Sequence, residues 1–334
     1  MNNPKAKAKP DRSEEAAKNR ATRTTIILSV VVVVIVAVVA GIAIYRDRVA
    51  PFNTVVIEVN DARIDMRYFL KRVAMSGEPA MNMLSTLTQE QMIKLAAADP
   101  PFNITVTEED LDRFARELAA GEDASIEEGE FKEWYRQQLN ETRLSDAEYR
   151  DLLKTGYLSV RMAEYLAQFV PTEAEQALVN MILVKDYSQG TEVKERYEAG
   201  EDFAALASEY SIDPGSGEAG GEIGWFPRGV LDPALERLAF DLDIGRISDP
   251  IALDREQVFV MMISEKATTR EIDEQSLAVL KSRALDNWFE EAYSDYDVQF
   301  HGFDNGYDSE TDAWVQWQLM RMQRRQGGSS RSPG

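Results

Sequence analysis

Few side chains in this sequence could carry covalent or metal chemistry. The 334 residues include no cysteine and a single histidine, His301. Without cysteine there is no thiolate nucleophile, thiolate metal ligand or disulfide, and one histidine cannot build a cluster of imidazole ligands. A Ser-His-Asp triad would have to use His301, whose Gly-, Asp- and Asn-rich surroundings are typical of a loop. We therefore expect no metal site, no cofactor and no nucleophilic catalysis.

Two ligand-binding patterns are present in outline only. Gly215–Gly220 fits the G-x-G-x-x-G pattern of dinucleotide-binding loops. That function needs a strand before the glycines and a helix after them, whereas the sequence here predicts a helix before and a strand after. The acidic stretch Asp304–Asp312 lacks the spacing, with glycine in sixth place, that a calcium loop requires. Both interpretations are rejected.

The elements around these residues begin with an apolar run at residues 26–45 that contains no charge. Twenty helical residues span about 30 Å, so we predict a transmembrane helix over residues 25–45 that makes the lipid bilayer a partner. Residues 1–24 carry seven basic and three acidic side chains. The positive-inside rule therefore predicts a cytoplasmic N-terminal tail in the plasma membrane and an extracytoplasmic body. A cleaved signal peptide is the alternative, although its apolar core is usually about 7–15 residues long.

The rest of the chain is acidic, with a net charge of −21 for the whole sequence, and this argues against nucleic acid as a partner. Residues 53–170 predict two short strands around Asn60 followed by amphipathic helices, and residues 172–268 alternate strands with short helices. We expect one helix over residues 269–298 and another over 312–323. Residues 324–334 are predicted to be a disordered tail. The predicted fold class is α+β.

The segment around the glycine-rich loop resembles the parvulin (PpiC-type) rotamase family. The motifs occur in the family's order along residues 177–266. They are Gly-x-Asp-Phe-x-x-Leu-Ala (200–207), Tyr-Ser-x-Asp-Pro-Gly-Ser (210–216), Gly-Gly-x-Ile-Gly-Trp-Phe (220–226), Arg-Gly (228–229), Ala-Phe-x-Leu (239–242) and Gly-x-Ile-Ser-x-Pro (245–250). The flanking helical segments resemble the chaperone domain of SurA/PrsA-type proteins, which implies that residues 269–323 pack back on the helical domain of residues 53–170. The resemblance implies a small antiparallel sheet flanked by helices, inserted in a mostly helical chaperone domain.

The resemblance also implies catalysis of cis/trans isomerisation at Xaa-Pro bonds in unfolded or nascent polypeptides. Asp213 occupies the family's polar catalytic position, and Leu231 and Leu235 occupy its apolar proline pocket. Phe226 and Phe240 are kept and are the further substrate-binding candidates. On turn chemistry alone, Asp213 could equally be a turn residue before Pro214.

Three family positions have changed. Met181 and Phe259 stand where the family has two histidines beneath the site, and Glu256 stands where it has a small or polar residue. Two apolar residues would leave a drier interior that still accepts proline but lacks polar contacts.

Three functions are compatible with this pattern. The first is a membrane-anchored extracytoplasmic foldase, a parvulin-type isomerase and chaperone for secreted or envelope proteins. The second is a non-catalytic peptide-binding chaperone or assembly subunit, either as a homodimer or within an envelope complex. The third is a structural subunit of such a complex, in which Trp314 and Trp317 dock on a fixed partner.

Overall fold

The computed structural model describes residues 31–329 except 32, 47, 123–124, 253–256 and 305. Glu256, the predicted N-terminal tail (residues 1–24) and residues 25–30 and 32 of the predicted membrane span therefore lie outside the described residues. The chain forms two compact units. The first unit comprises Met1–Met92, Glu122–Tyr149 and Tyr296–Gly334, and the second comprises Ile93–Gly121 and Arg150–Asp295. The domain bounds inferred from the sequence stay a prediction.

The elements follow in chain order. The helices are α1 (residues 33–46), α2 (Met66–Ser76), α3 (Ala80–Ala97), α4 (Glu108–Ala120), α5 (Glu128–Thr142), α6 (Asp146–Ala167), α7 (Tyr187–Glu198), α8 (Phe203–Tyr210), α9 (Pro214–Glu218), α10 (Pro233–Asp241), α11 (Glu274–Ser282), α12 (Ala284–Ala292) and α13 (Ser309–Ser329). The strands are β1 (Val55–Val59), β2 (Ala62–Asp65), β3 (Glu173–Val184), β4 (Glu222–Pro227), β5 (Ile251–Ala252), β6 (Val258–Glu271) and β7 (Val298–Phe300). A short 3₁₀ turn spans Ala50–Asn53.

A search of the helices in the described part of the chain finds none that is long and apolar enough to cross a membrane.

The first unit is built on a small antiparallel sheet of order β2-β1-β7. The predicted hairpin is confirmed: β1 and β2 are joined through Asn60, whose φ of 52° places it in the left-handed region that asparagine tolerates in tight turns. Strand β7 returns from the C-terminal part of the chain and pairs with β1. Helix α2 buries Phe69 and Val73, and the Phe69 ring lies edge-on to Tyr307, 5.8 Å between centroids.

The second unit contains an antiparallel sheet of order β4-β3-β6-β5. Alternation along β3 and β6 sends successive side chains to opposite faces. One face, with Ile182 and Val260, packs against Phe203 and Leu206 of α8 and Val193 of α7. The other face packs against α10 and is called the α10 face. The mixed helix-and-sheet architecture agrees with the predicted α+β class.

Two local expectations were wrong, and one short helix was not predicted. Residues 269–298 are not one helix, because β6 continues to Glu271 and Asp273 then caps the separate helix α11 through the Ser276 N–H. Helix α13 runs from Ser309 to Ser329, so the tail predicted to be disordered from residue 324 is helical to Ser329. The first residues of that tail, Arg324, Arg325 and Gln326, favour helix. The glycine-rich loop contains the short helix α9.

Candidate functional site

The predicted proline pocket lies on the α10 face of the second unit. Phe259, Met261 and Ile263 of β6 lie there with Ala177 and Val179 of β3. The half-buried side chains packed against this cluster include the predicted pocket residues and Met181. They are Met181, Leu183, Ile223, Phe226, Leu231, Leu235, Leu238, Leu242 and Ile251. The structure therefore brings the apolar residues expected for the pocket onto a single face of the sheet.

The two positions where the family has histidines also lie on this face. Phe259 is 1% exposed, and its cross-strand partner in β3 is Leu183. Met181 pairs with Met261, so Met181 and Phe259 are diagonal neighbours, at the separation that long side chains can bridge. Since both side chains are apolar, they add packing and no hydrogen-bonding partner to the floor of the site.

Asp213 lies in the loop after α8, which is tied to the edge of this face. The Ile212 N–H donates to the Leu183 carbonyl at 2.8 Å, so the residue before Asp213 is anchored to the strand partner of Phe259. The Asp213 carboxylate accepts the Ser216 N–H at 2.8 Å and caps α9. This backbone hydrogen bond to the charged form lowers the pKa of Asp213 below its usual value, so the side chain is an anion at neutral pH. The turn interpretation of Asp213 is confirmed, and a catalytic role is compatible with it.

Two glycines of the motif hold the loop against the sheet. Gly221 has a φ of +88°, and its carbonyl accepts the Met181 N–H at 2.7 Å. A Cβ at Gly221 would lie 2.6 Å from Cε1 of Phe203, and one at Gly220 would lie 2.8 Å from Cβ of Ala204. Neither position has room for a side chain, so the Gly-Gly pair is required by close packing of the loop on α8 as well as by backbone conformation.

Arg228 is a rim residue to which the sequence analysis assigned no role. Its guanidinium lies over the Phe240 ring at 3.9 Å from the centroid, and its Nε donates to Glu175 at 2.9 Å. Phe240 is 8% exposed beneath it. A ligand would reach the Phe240 ring only after Arg228 moved, whereas Phe226, Leu231 and Leu235 are half-buried and accessible. The Arg-Gly motif was the available signal, but no pattern in the sequence indicates which ring the arginine covers.

Other charged side chains near this site bind the backbone: Glu236 accepts the Gly229 N–H, Lys266 donates to the Phe240 carbonyl at 2.5 Å, and Arg283 donates to the Gly229 carbonyl at 2.6 Å. No group of three or more His, Asp or Glu side chains in the described ranges could hold a metal ion. The arrangement is an apolar shelf with charged side chains at its margins, among them Asp213 and Arg228. Such a surface can bind a small apolar ring and a neighbouring polar backbone group without forming a covalent bond.

Comparison with known proteins places the site within a defined class of domain. Residues 183–264 match the rotamase family, described as the PPIC-type PPIASE domain. The resemblance inferred from the motifs is confirmed: the chain carries a PpiC-type domain, and the segment matched includes Asp213, the glycine pair and the pocket residues.

Particular relatives extend this similarity. The chain is 36% identical over 121 residues to the foldase protein PrsA of Geobacillus kaustophilus, covering 35% of this chain and 43% of that protein. It is 51% identical over 73 residues to foldase protein PrsA 3 of Bacillus cereus, covering 22% and 26%. A crystal structure of the peptidylprolyl isomerase PrsA from Bacillus cereus aligns with a TM-score of 0.35 and 19% identity, covering 81% of this chain and 92% of that one. The chain spans about half the length of the first curated relatives it matches.

Proposed function

We propose that this protein is a parvulin-type peptidyl-prolyl cis-trans isomerase with chaperone activity, acting on Xaa-Pro bonds in unfolded polypeptides. The observation that carries the proposal is the apolar α10 face, bordered by the loop of Asp213, inside the segment that matches the PpiC-type domain. The relatives are named foldases, which is consistent with polypeptide substrates.

The chemistry asked of such a site is modest. Rotation about the peptide C–N bond faces a barrier of about 18–20 kcal/mol because resonance gives that bond partial double-bond character. The uncatalysed step takes tens of seconds or longer. No bond is broken, so the site needs only to favour the twisted amide. Leu231 and Leu235 would hold the proline ring away from water, and this binding energy would offset the twist.

The anionic Asp213 would act on the carbonyl side of the amide. Resonance in the planar amide places negative charge on the carbonyl oxygen. A fixed carboxylate nearby disfavours that charge separation. It therefore raises the free energy of the planar form relative to that of the twisted form, and the barrier to rotation falls. This role requires the charge of Asp213 and not only its capping hydrogen bond.

The test is NMR exchange between the cis and trans forms of short Xaa-Pro peptides, using the purified full-length chain and two variants. Asp213→Asn removes the charge and keeps a good N-cap residue, and Asp213→Ala removes both. Asp202→Asn is the matched control, because Asp202 caps α8 through the Ala205 N–H in the same way. We expect accelerated exchange that drops by about tenfold or more in both Asp213 variants and persists in the control.

The second candidate function is a peptide-binding chaperone without catalysis, and it is favoured by the apolar pair Met181 and Phe259. In that case, peptide resonances shift on titration while exchange stays at the uncatalysed rate. That result would overturn the catalytic proposal and leave a binding surface.

We further propose that the protein is a single-pass membrane protein whose residues from Arg48 onward lie outside the cytoplasm. Residues 33–46 are helical, and the large apolar side chains there are exposed, from Val33 at 66% to Tyr45 at 54%. Such exposed apolar side chains are stable in lipid. Alkaline carbonate extraction of membranes is the test: retention in the membrane supports the anchor, and release of the intact chain overturns it.

A further inference from the structure

The first unit contains a cavity of about 840 Å³ between the segment of Arg48 and Phe52, which follows α1, and helix α13. Its walls come from the segment after α1 and from α13. They include Arg48, Phe52, Trp314, Trp317, Arg321 and Met322. The cavity therefore combines aromatic and thioether surface with two guanidinium groups, and it lies far along the sequence from the PpiC-type domain.

The two tryptophans of the cavity wall differ: Trp314 is fixed by contacts with other rings, whereas Trp317 is exposed. Trp314 is fixed by two edge-on contacts, with Phe52 at 5.2 Å and with Phe303 at 5.1 Å between centroids. Trp317 is 48% exposed, and Met320 beside it is 49% exposed. An exposed tryptophan next to exposed methionine is stable where one end of the ring meets apolar material and the other meets water.

The cationic wall stands out in a chain with 58 acidic and 37 basic residues. Arg48 and Arg321 both line the cavity, and no described carboxylate forms an ion pair with either. Arg321 instead lies over the Trp317 ring, 4.4 Å from its centroid. A guanidinium held on an aromatic face keeps its N–H groups directed outward for an oxyanion, which arginine binds in a fixed fork.

The position of Arg48 in the chain indicates which ligand the cavity would bind. It follows the predicted membrane span by three residues, about 5 Å of helix. If residues 26–45 cross the bilayer, Arg48 and Phe52 lie at the depth of the lipid headgroups, with α13 beside them. We propose that this cavity binds the headgroup phosphate of an anionic phospholipid from the leaflet where the chain emerges. The two arginines contact the phosphate, and Trp317 and Met320 contact the adjoining acyl region. This proposal rests on the membrane anchor proposed above.

The experiment uses the full chain in phosphatidylcholine vesicles that contain increasing fractions of phosphatidylglycerol, with either lipid brominated. Brominated lipid quenches tryptophan that it touches, and a Trp317→Phe variant identifies the share of the signal that comes from Trp317. We expect quenching by brominated phosphatidylglycerol to be stronger than by brominated phosphatidylcholine. The phosphatidylglycerol fraction that gives half-maximal quenching of Trp317 should rise roughly fivefold for Arg48→Gln or Arg321→Gln and about 25-fold for both together.

Two variants serve as controls. Arg63→Gln removes an exposed arginine of the same unit that is already paired with Glu58, and it should leave the lipid preference unchanged. Arg321→Lys keeps the charge and should keep most of the preference.

Three outcomes would overturn the proposal. The first is equal quenching of Trp317 by both brominated lipids in a chain that resists carbonate extraction, which would leave the anchor standing. The second is release of the chain by carbonate, which would overturn the anchor and this site together while the peptide-exchange assay continued to report on the isomerase. The third is loss of Trp317 quenching at high protein-to-lipid ratio, which would assign the cavity to a second copy of the chain.

Discussion

Replacing Phe259 by histidine, the residue type that the family has at this position, should destabilise this protein. Phe259 is 1% exposed and lies among apolar side chains on the α10 face. An imidazole there loses part of the phenyl packing, worth about 2 kcal/mol, and leaves ring nitrogens without partners, which costs about 1–3 kcal/mol. We expect Phe259→His to lower the free energy of unfolding of this sheet by roughly 3–5 kcal/mol.

A second variant, Met181→His, tests whether the side chains at positions 181 and 259 interact. Met181 is half-buried, so the single variant should cost less, roughly 1–2 kcal/mol. Because the two residues are diagonal neighbours across β3 and β6, two imidazoles could hydrogen-bond to each other. The double variant should then cost about 1 kcal/mol less than the sum of the single variants.

The pH dependence of the Phe259→His variant follows from burial of its imidazole. Burial disfavours the charged form and depresses the pKa of the imidazole in the folded protein, so the unfolded chain binds the proton more strongly. The penalty should therefore grow as the pH falls below about 6.5, the ordinary pKa of histidine.

Hydrogen exchange of the β3 and β6 amides is the assay, because it reports opening of this sheet without requiring a chain of two units to unfold in one step. Phe169→His is the matched control, since Phe169 is 67% exposed and should tolerate the change. If Phe259→His costs no more than Phe169→His, the inference of a dry, closely packed floor is wrong. If the double variant shows no coupling, the two positions are out of reach of each other.

Three further outcomes are expected. Gly221→Ala should destabilise the second unit by more than about 1 kcal/mol in a thermal melt, because its positive φ is unfavourable for alanine and the new Cβ would meet Phe203. Glu90→Gln should cost about 3–5 kcal/mol in urea unfolding, because Arg72, 4% exposed, loses the carboxylate that pairs with it at 2.6 Å; a loss below 1 kcal/mol would refute this. The pKa of Asp213 is lowered in the folded protein, so its contribution to stability is present above about pH 4 and is lost as the pH falls through the folded-state pKa. Asp213→Asn should therefore lose less stability as the pH falls than the unchanged protein does, as measured by acid unfolding followed by circular dichroism.

Much of the architecture could be predicted because its signals are local. The capping box of Thr107 with Asp110 has a local sequence signature, and it is formed, with reciprocal hydrogen bonds at the start of α4. The β1–β2 hairpin was predicted from its turn residues. The failure at residues 269–298 has a physical reason: apolar residues from Leu277 onward have helical spacing, but cross-strand pairing with β3 extends β6 through residues 265–271. Pairing with a distant strand leaves no local signal.

The candidate site shows the same division. Motif order predicted which residues gather, and Leu231, Leu235 and Phe226 do lie together on the α10 face. Sequence order could not indicate that Arg228 covers Phe240, because that contact depends on how β4 and α10 are placed. Nor could it indicate that the Gly221 carbonyl accepts the Met181 N–H, which fixes the loop to the strand.

The decisive question about the site is whether Asp213 serves as a cap, as a charge or as both. Its carboxylate is already bound to the Ser216 N–H, and the same bond that lowers its pKa also fixes the carboxylate at the start of α9. A cap needs only an acceptor oxygen, which asparagine supplies equally well, whereas destabilising the charge-separated, planar amide needs the negative charge. Loss of exchange activity in Asp213→Asn with an intact fold would therefore assign the charge to catalysis. Full activity in that variant would reduce Asp213 to a structural cap and place any rate enhancement in the apolar shelf alone.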